Sequence, residues 1–371
     1  MIIIVVLGVL AILMTLVTNL AGEATYASQM MATIRAQDRS YYVAQSAVRA
    51  VLPLLPSSSE SAHTLQDPWA IGAPPLEIDG NLVEVKITDE ERFYNPNAMI
   101  GKDGQVDDDQ VKVFRRLVKQ LGQRDDEVVN PILDWIDADS NRRLPGGAEA
   151  LDYGERLPKN APLDSIDEIL QVKGIPPTLL RGSGASPSPG AARAFQSGGI
   201  EKYGLSPLIT VHSNGKVNIN TAPPAVLQAL AENLDSGLVK AIIDHRERTP
   251  FKRLDDLLEV PGVTRDHIYF LKKVADVKSE TWQIKAEVGA ATGSYTLEGP
   301  PDTTLIARYR GSGRGIKPLT WNLEESGSDV TDPTSDRSAS PRGASPSPSP
   351  SMPGRSSTPA QPTGNQSTQR F

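Results

Sequence analysis

Three oxygen-bearing side chains at alternate positions form the clearest chemical pattern in this sequence. Asp137, Asp139 and Asn141 follow a segment of helical periodicity, and Glu149 comes shortly after them. Carboxylate and amide oxygens are hard ligands of the kind that Ca²⁺ prefers, and no softer ligand is nearby. The glycine that an EF-hand loop needs at its sixth position is Arg142 here, so this is not an EF-hand. Two interpretations stay open: a structural Ca²⁺ site made by Asp137, Asp139, Asn141 and Glu149, or a solvated acidic loop at a helix end.

Catalytic chemistry finds little support in the sequence. The chain has no cysteine, which excludes disulfides, thiolate zinc sites and a cysteine nucleophile. Its 4 histidines are scattered without the spacing of metal ligands, and no Gly-x-Ser-x-Gly motif occurs. The acidic run from Asp107 to Asp109 is typical of solvated surface. We therefore expect no enzymatic activity, no catalytic residue, and no cofactor apart from Ca²⁺.

An internal repeat raises the question of nucleic-acid binding. Residues 165–175 match residues 253–263 in residue class, and each copy has a short acidic helix before a glycine, Gly174 or Gly262. With residues 217–223 they resemble helix-hairpin-helix modules, which bind phosphates through N–H groups of a Gly-x-Gly turn. The second glycine is absent from both turns, Pro176 has no N–H, and the net charge is -7. A membrane-tethered DNA-binding protein acting in DNA uptake is therefore the alternative hypothesis, not the main one.

The first part of the chain indicates a membrane anchor. From Ile2 to Leu20 it is almost wholly apolar, close to the roughly 20 residues that a helix needs to cross a bilayer. A retained anchor is favoured over a cleaved signal peptide, because neither a positive start nor a clear cleavage site is present. No proline precedes Pro53, and Tyr26, Met30 and Ile34 share one helical face with later apolar residues. We predict a transmembrane segment over 1–21 that continues as an amphipathic stem, one helix of about 50 residues.

Two separated stretches have the alternation of β-strands. Apolar residues surround Asp79-Gly80-Asn81 in the stretch from Leu76 to Ile87, which predicts a hairpin. The stretch from Trp282 to Tyr309 alternates again. Neither contains enough strands to be stable alone, so we predict that both lie in one sheet with a helical segment between them. Residues 183–199 are a predicted flexible insertion, and residues 325–371, dominated by Ser, Pro, Thr and Gly, are predicted to be disordered.

Several motifs, in one order, resemble a known family. They are Tyr41-Tyr42-Val-Ala, Pro131-Ile-Leu-Asp-Trp-Ile-Asp-Ala-Asp139, Gly147-Ala-Glu149 and Gly215-Lys-Val-Asn-Ile-Asn-Thr-Ala-Pro223. In this combination, over roughly Ile2 to Gly311, the chain is similar to the minor pseudopilin K family of type II secretion systems. That family characteristically lacks the acidic residue that most pilin-like proteins carry near the mature N-terminus, and here the first acidic residue is Glu23.

The resemblance implies an α+β, pilin-like fold: a long N-terminal transmembrane and stem helix, a small antiparallel sheet, and a large inserted all-α domain. This insertion would contain two helix-hairpin-helix or SAM-like units. The implied domains are a transmembrane segment at 1–21, stem helix and first strands at 22–95, the insertion at 96–275, C-terminal strands at 276–324, and the tail. Ca²⁺ binding occurs in the family, which favours a Ca²⁺ site around Asp137.

The resemblance also implies a function. The chain would be a non-enzymatic subunit at the tip of the pseudopilus, supporting protein export across the outer membrane. Its partners would be minor pseudopilins I and J, with no nucleic acid. It would be a single-pass protein of the bacterial inner membrane with its soluble domain in the periplasm.

Overall fold

The computed structural model describes residues 2–56, 60–78, 80–154, 157–182, 204–290, 301–311 and 315–325. The predicted flexible insertion at 183–199 and the predicted tail from residue 326 onward lie outside these residues. Glu325 is the last residue of a strand and is paired with Thr303, so the prediction that the tail starts at residue 325 is wrong by one residue.

One helix, α1 (Ile2–Val51), contains 50 residues and confirms the predicted length of about 50. Pro53 follows within a short 3-10 turn, because proline cannot continue an α-helix. Residues 2–39 are all exposed, and an apolar window reaches a mean hydropathy of 2.7, so α1 is long and apolar enough to cross a membrane. The hydroxyl of Thr18 donates to the Met14 carbonyl at 2.9 Å, which satisfies this polar group without water.

Five strands form one antiparallel sheet in the order β1-β2-β5-β6-β7. They are β1 (Leu76–Ile78), β2 (Asn81–Asp89), β5 (Thr281–Ala290), β6 (Thr303–Arg310) and β7 (Lys317–Glu325). β1 and β2 form the predicted hairpin around Gly80, whose φ of 77° suits the turn. β2 pairs with β5 along its whole length, which confirms that the two separated stretches share a sheet. The edge strand β7 falls, apart from Glu325, in the range predicted for the C-terminal strands, and its Leu319, Trp321 and Leu323 alternate with polar residues.

The C-terminal part of α1 covers one face of this sheet. Its buried side chains recur at helical spacing; they are Ser40, Val43, Ala44, Ala47, Val48 and Val51. They belong to one core with the inward-facing residues of β2 and β5, among them Val85 and Trp282. Ala44 and Ala47 are fully buried at 0% exposure, so only small side chains separate the helix from the sheet here. From Trp282 to Val288, every second residue of β5 faces this core, as the alternation predicts.

The chain between β2 and β5 is largely helical and has a core of its own. A short helix, α2 (Pro68–Ile71), precedes the sheet. The α-helices described between β2 and β5 are α3 (Asp108–Gln120), α4 (Asp125–Ile136), α5 (Ala150–Tyr153), α6 (Pro177–Arg181), α7 (Pro224–Leu230), α8 (Ser236–Arg248) and α9 (Arg265–Val274). A short parallel pair, β3 (Val217–Asn218) and β4 (Ala275–Asp276), was not predicted. The apolar stripe of α3, including Phe114 and Leu117, is buried.

Both copies of the internal repeat have the same local backbone. Each begins with a 3-10 helix, Ile166–Gln171 or Leu254–Glu259, and then turns at a glycine with positive φ. That φ is 84° at Gly174 and 97° at Gly262. A helix follows each turn, α6 in the first copy and the longer α9 in the second. The duplicated unit inferred from the sequence is therefore present in the fold.

A buried polar network joins the helical segment to the sheet at the two points where the chain passes between them. Asp89, at the end of β2, accepts hydrogen bonds from Thr221 Oγ1 at 2.6 Å and Ser279 Oγ at 2.7 Å. The Glu91 carboxylate accepts from the backbone N–H groups of Thr281 at 2.9 Å and Asn214 at 3.2 Å. Burial, together with the charge of Asp89, raises the pKa of Glu91 to about 8. These bonds fix the orientation of the helical segment on the sheet.

Candidate metal centre

The C-terminal end of α4 gathers negative charge where a helix does not favour it. The first turn of α4 contains Asp125, Asp126 and Glu127, which the positive end of the helix dipole stabilises. The last turn contains Asp134, and Asp137 directly follows the helix; both carboxylates are almost fully buried. Since the negative end of the dipole repels carboxylates, this end of α4 requires compensating cations.

Two glycines fold the following loop back onto the end of α4. Gly146 has a φ of 86°, a conformation that other residues rarely adopt. A Cβ at position 147 would lie 2.2 Å from the Arg143 carbonyl oxygen and 2.3 Å from Asp134 Oδ2, so only glycine fits there. The Gly147 carbonyl accepts a hydrogen bond from Arg142 Nε at 2.7 Å. This loop path carries Glu149 back to the helix end.

The structure brings three of the four predicted ligands together. One oxygen from each of Asp137, Asp139 and Glu149 lies within 4.8 Å of the other two. Asp137 Oδ1 and both carboxylate oxygens of Glu149 are buried and have no hydrogen-bond donor among the described residues. Asp139 is exposed and closes the cluster on the solvent side. Buried acceptor oxygens without a donor are costly, and a bound cation would satisfy them.

The charges of the cluster are only partly balanced. Arg143 Nη1 donates to Asp134 Oδ1 at 2.7 Å and also contacts the Asp137 carboxylate. Burial raises the pKa of Glu149, and the charges of Asp134, Asp137 and Asp139 raise it further. Burial likewise raises the pKa of Asp137, although Arg143 opposes this. A single guanidinium therefore faces four carboxylates, and the cluster retains an excess of negative charge.

This donor set fits Ca²⁺. Calcium takes oxygen ligands at about 2.3–2.6 Å, so oxygens on opposite sides of one ion lie up to about 5 Å apart. The 4.8 Å limit within the cluster of Asp137, Asp139 and Glu149 agrees with that span. The ligands come from a helix end, a loop and the start of α5, so an ion here would join three segments of the chain.

In this structure Asn141, the fourth predicted ligand, contacts the acidic cluster through its backbone N–H group. Its N–H donates to Asp139 Oδ1 at 2.7 Å, which orients that carboxylate, and its own side chain is exposed. Ligation by the Asn141 amide stays a prediction. Asp134 and Arg143 were not among the predicted site residues, although Asp134 precedes Asp137 by three residues and so lies on the same helical face.

The two turns that resemble phosphate-binding hairpins use their N–H groups internally. In the first, the N–H of Lys173 donates to the Tyr153 hydroxyl at 3.1 Å. In the second, the N–H of Val263 donates to the Val260 carbonyl at 3.1 Å, and that of Thr264 donates to His267 Nδ1 at 3.1 Å. These groups are not free to bind phosphate, so the structure gives the DNA-binding alternative no support.

Together, these features define a class of protein. It is a mixed α+β chain with an exposed apolar N-terminal helix, an antiparallel sheet, and a helical segment with a buried acidic cluster between two strands. Family models of type II secretion system (T2SS) protein K match residues 92–182, which contain the acidic cluster, and residues 217–278, which contain the second repeat. Over these two stretches the chain is similar to type II secretion system protein K.

Two relatives illustrate the similarity. The type II secretion system protein K of Pseudomonas aeruginosa strain PAO1 is 28% identical over 239 residues, covering 63% of this chain and 61% of that protein. The chain thus matches somewhat less than two thirds of the relative's length. A chain of "The Crystal Structure of the GspK-GspI-GspJ complex from enterotoxigenic Escherichia coli Type 2 Secretion System" is 18% identical, with a TM-score of 0.55 over 82% of this chain and 100% of that chain. This second similarity concerns the fold.

Proposed function

We propose that this protein is a non-enzymatic minor pseudopilin of a type II secretion system. It is anchored by α1 in the inner membrane, exposes its soluble part to the periplasm, and supports protein export as part of a complex with minor pseudopilins I and J. The matches to the protein K family models support the proposal, as does the similar fold of a chain from the GspK-GspI-GspJ complex. The proposed role needs surfaces for assembly, and α1 supplies one.

The observation that carries this proposal is the continuation of the sheet-binding face of α1 beyond the sheet. Five helical turns take about 18 residues, so Met30 lies directly above Val48 on the helix surface. Val48 is fully buried against the sheet, whereas Met30 is 61% exposed. Tyr26 and Ala44 are related in the same way: Ala44 is fully buried and Tyr26 is 75% exposed. An apolar face of this length suits packing against the helices of neighbouring subunits.

Calcium has a structural role in this proposal. Asp137, Asp139 and Glu149 would hold the ion, and Arg143 would fix the Asp137 carboxylate beside it. The ion supplies positive charge at the negative end of α4 and ties the 137–149 loop to that end. We also propose that residues 96–275 form an inserted domain, since the core of the helical segment is separate from the core between α1 and the sheet.

Assembly is tested by co-expressing the full-length chain with pseudopilins I and J of the same organism and purifying the proteins in detergent. We expect the three proteins to co-elute in size-exclusion chromatography. Met30→Glu places a charge on the proposed contact face and should release the partners, whereas Ser28→Glu, on the opposite face of α1, should not. Elution of the wild-type chain without either partner would contradict the proposal.

A further inference from the structure

The helix α1 covers only part of one face of the five-stranded sheet. The core beneath it contains buried residues of β2, β5 and β6. β5 is the middle strand, and its inward-facing residues from Trp282 to Val288 all have 0% exposure, so α1 lies above this strand. Among the described residues of β7, Trp321 packs against this core, and it is only partly buried. The well-covered part of the face therefore ends at β6.

Two large apolar side chains of β7 lie on the face that α1 covers elsewhere. Directly opposite residues of paired antiparallel strands point to the same face. Leu323 pairs with Leu305, and Trp321 pairs with Ala307. Leu305 and Ala307 both belong to the core beneath α1. Leu323 is nevertheless 49% exposed. Trp321 and Leu323, which we call the β7 strip, thus continue the apolar face of the sheet beyond α1.

The space above the β7 strip has the width of one helix. Neighbouring strands are about 4.8 Å apart, so β7 lies about 10 Å from β5. Packed helices have axes about 8–10 Å apart. α1 runs roughly along the strands, because Ala36 is close to Thr303 at one end of β6 and Val51 shares a core with Tyr309 near the other. A second helix parallel to α1 would therefore contact both α1 and the β7 strip.

A helix suits this space better than a strand or the chain that follows β7. A strand added at the edge would pair with the β7 backbone and leave the exposed face uncovered. The residues after Glu325 offer three large apolar side chains, Val330, Met352 and Phe371, among frequent prolines that interrupt helices. The helix that covers the β7 strip must then come from a second chain.

The surroundings of α1 indicate the direction from which such a helix arrives. A groove of about 730 Å³ lies between α1 and the sheet, and Ala32, Ala36 and Thr303 are among its lining residues. Thr303 pairs with Glu325, so this groove and Leu323 lie at the same end of the sheet. That end faces the exposed apolar half of α1. A helix that follows α1 from its apolar half therefore reaches Leu323 first.

We propose that the β7 strip binds the N-terminal stem helix of a neighbouring pilin-like subunit, laid parallel to α1. The inference rests on the proposed assembly with minor pseudopilins I and J, and it names the surface that one of them uses. The bound helix covers Leu323 and Trp321 and extends the helical layer that α1 begins on the sheet.

The test measures the affinity of the full-length chain for pseudopilins I and J in detergent. Leu323→Glu places a charge on the β7 strip and should weaken binding of one partner by about tenfold or more, because a buried unpaired charge is costly. Asn322→Glu is the matched control: it changes the adjacent, exposed residue, which faces the opposite side of the sheet, and should leave the affinity within about twofold. Unchanged affinity in a folded Leu323→Glu variant overturns the inference alone. Failure of the wild-type chain to bind either partner overturns the proposed function as well.

A crosslinking experiment covers the case in which Leu323→Glu does not fold. The chain has no cysteine, so Leu323→Cys introduces a single thiol that can carry a benzophenone label. In the complex with I and J, light should link position 323 to the N-terminal helix of one partner, identified by mass spectrometry. The same label on Asn322→Cys should not reach that helix. Links from position 323 to a partner's globular part, to a second copy of this chain or to the residues after Glu325 overturn the inference, as does the absence of any link.

Discussion

Replacing Glu149 by glutamine should separate the two effects of the acidic cluster, repulsion without calcium and stabilisation with it. Both Glu149 carboxylate oxygens are buried and unpartnered, and Asp134, Asp137 and Asp139 surround them with like charge. In the presence of a chelator, Glu149→Gln should therefore raise the free energy of unfolding by on the order of 1 kcal/mol, since an unpaired buried charge costs more than an unpaired buried amide.

With calcium present, the wild-type protein should become more stable than Glu149→Gln. At a hundredfold excess of calcium over its dissociation constant, mass action stabilises the wild-type chain by about 2.7 kcal/mol. At about 2–4 °C per kcal/mol for a protein of moderate size, this corresponds to a rise in melting temperature of about 5–10 °C. Glu149→Gln removes one charged ligand and should lose most of that rise. Asp139→Ala should abolish the rise too, but should leave the chelated melting point nearly unchanged, because Asp139 is exposed.

The assay is thermal unfolding of the full-length chain in detergent, followed by circular dichroism, with calcium or with chelator. Glu127→Gln removes an acid from the first turn of α4, away from the cluster, and should keep the full calcium shift. Identical wild-type melts in calcium and chelator would show that the loop is ordinary solvated surface. A full calcium shift in Glu149→Gln would show that the ion, if bound, does not use this carboxylate.

Three further predictions concern the fold. As the pH rises from about 5 to about 8, the free energy of unfolding of the wild-type protein should fall, because the folded-state pKa of Glu91 is raised to about 8 and ionisation in the native state is disfavoured. In urea unfolding, Glu91→Gln should reduce this pH dependence, whereas Glu77→Gln, at an exposed position, should not. Ala47→Leu should lower the free energy of unfolding by about 1–3 kcal/mol through overpacking against the sheet, whereas Ala50→Leu on the exposed side should have little effect in the same urea assay. Gly147→Ala should lower the melting temperature and also weaken the calcium response, because its Cβ would lie 2.3 Å from Asp134 Oδ2; a wild-type melt would contradict the loop geometry.

Local sequence signals predicted much of the fold because they act over short distances. The length of α1 follows from the absence of proline before Pro53 and from continuous helical periodicity. The strands β2 and β5 follow from alternation, and the repeat follows from matching residue classes around Gly174 and Gly262. In each case the pattern reflects which side of a single element faces the core.

The acidic cluster was predictable in part. Asp137, Asp139 and Glu149 could be selected from residue type and spacing, since calcium ligands commonly lie close together in one loop. The roles of Asp134 and Arg143 depend on how the loop returns to the end of α4, which is decided by the backbone at Gly146 and Gly147. The spacing also selected Asn141, whose recorded contact in the structure is made by its backbone N–H.

The sequence by itself determined the long apolar helix α1, the separated strands and the acidic loop, because hydrophobic pattern and turn chemistry are local properties. Only the tertiary structure decided which distant residues meet. The contacts of Asp89 with Thr221 and Ser279, and the hydrogen bond from Arg246 to the Ile219 carbonyl, join segments far apart in the chain. No periodicity encodes such contacts, since they arise from the way the helical segment packs against the sheet.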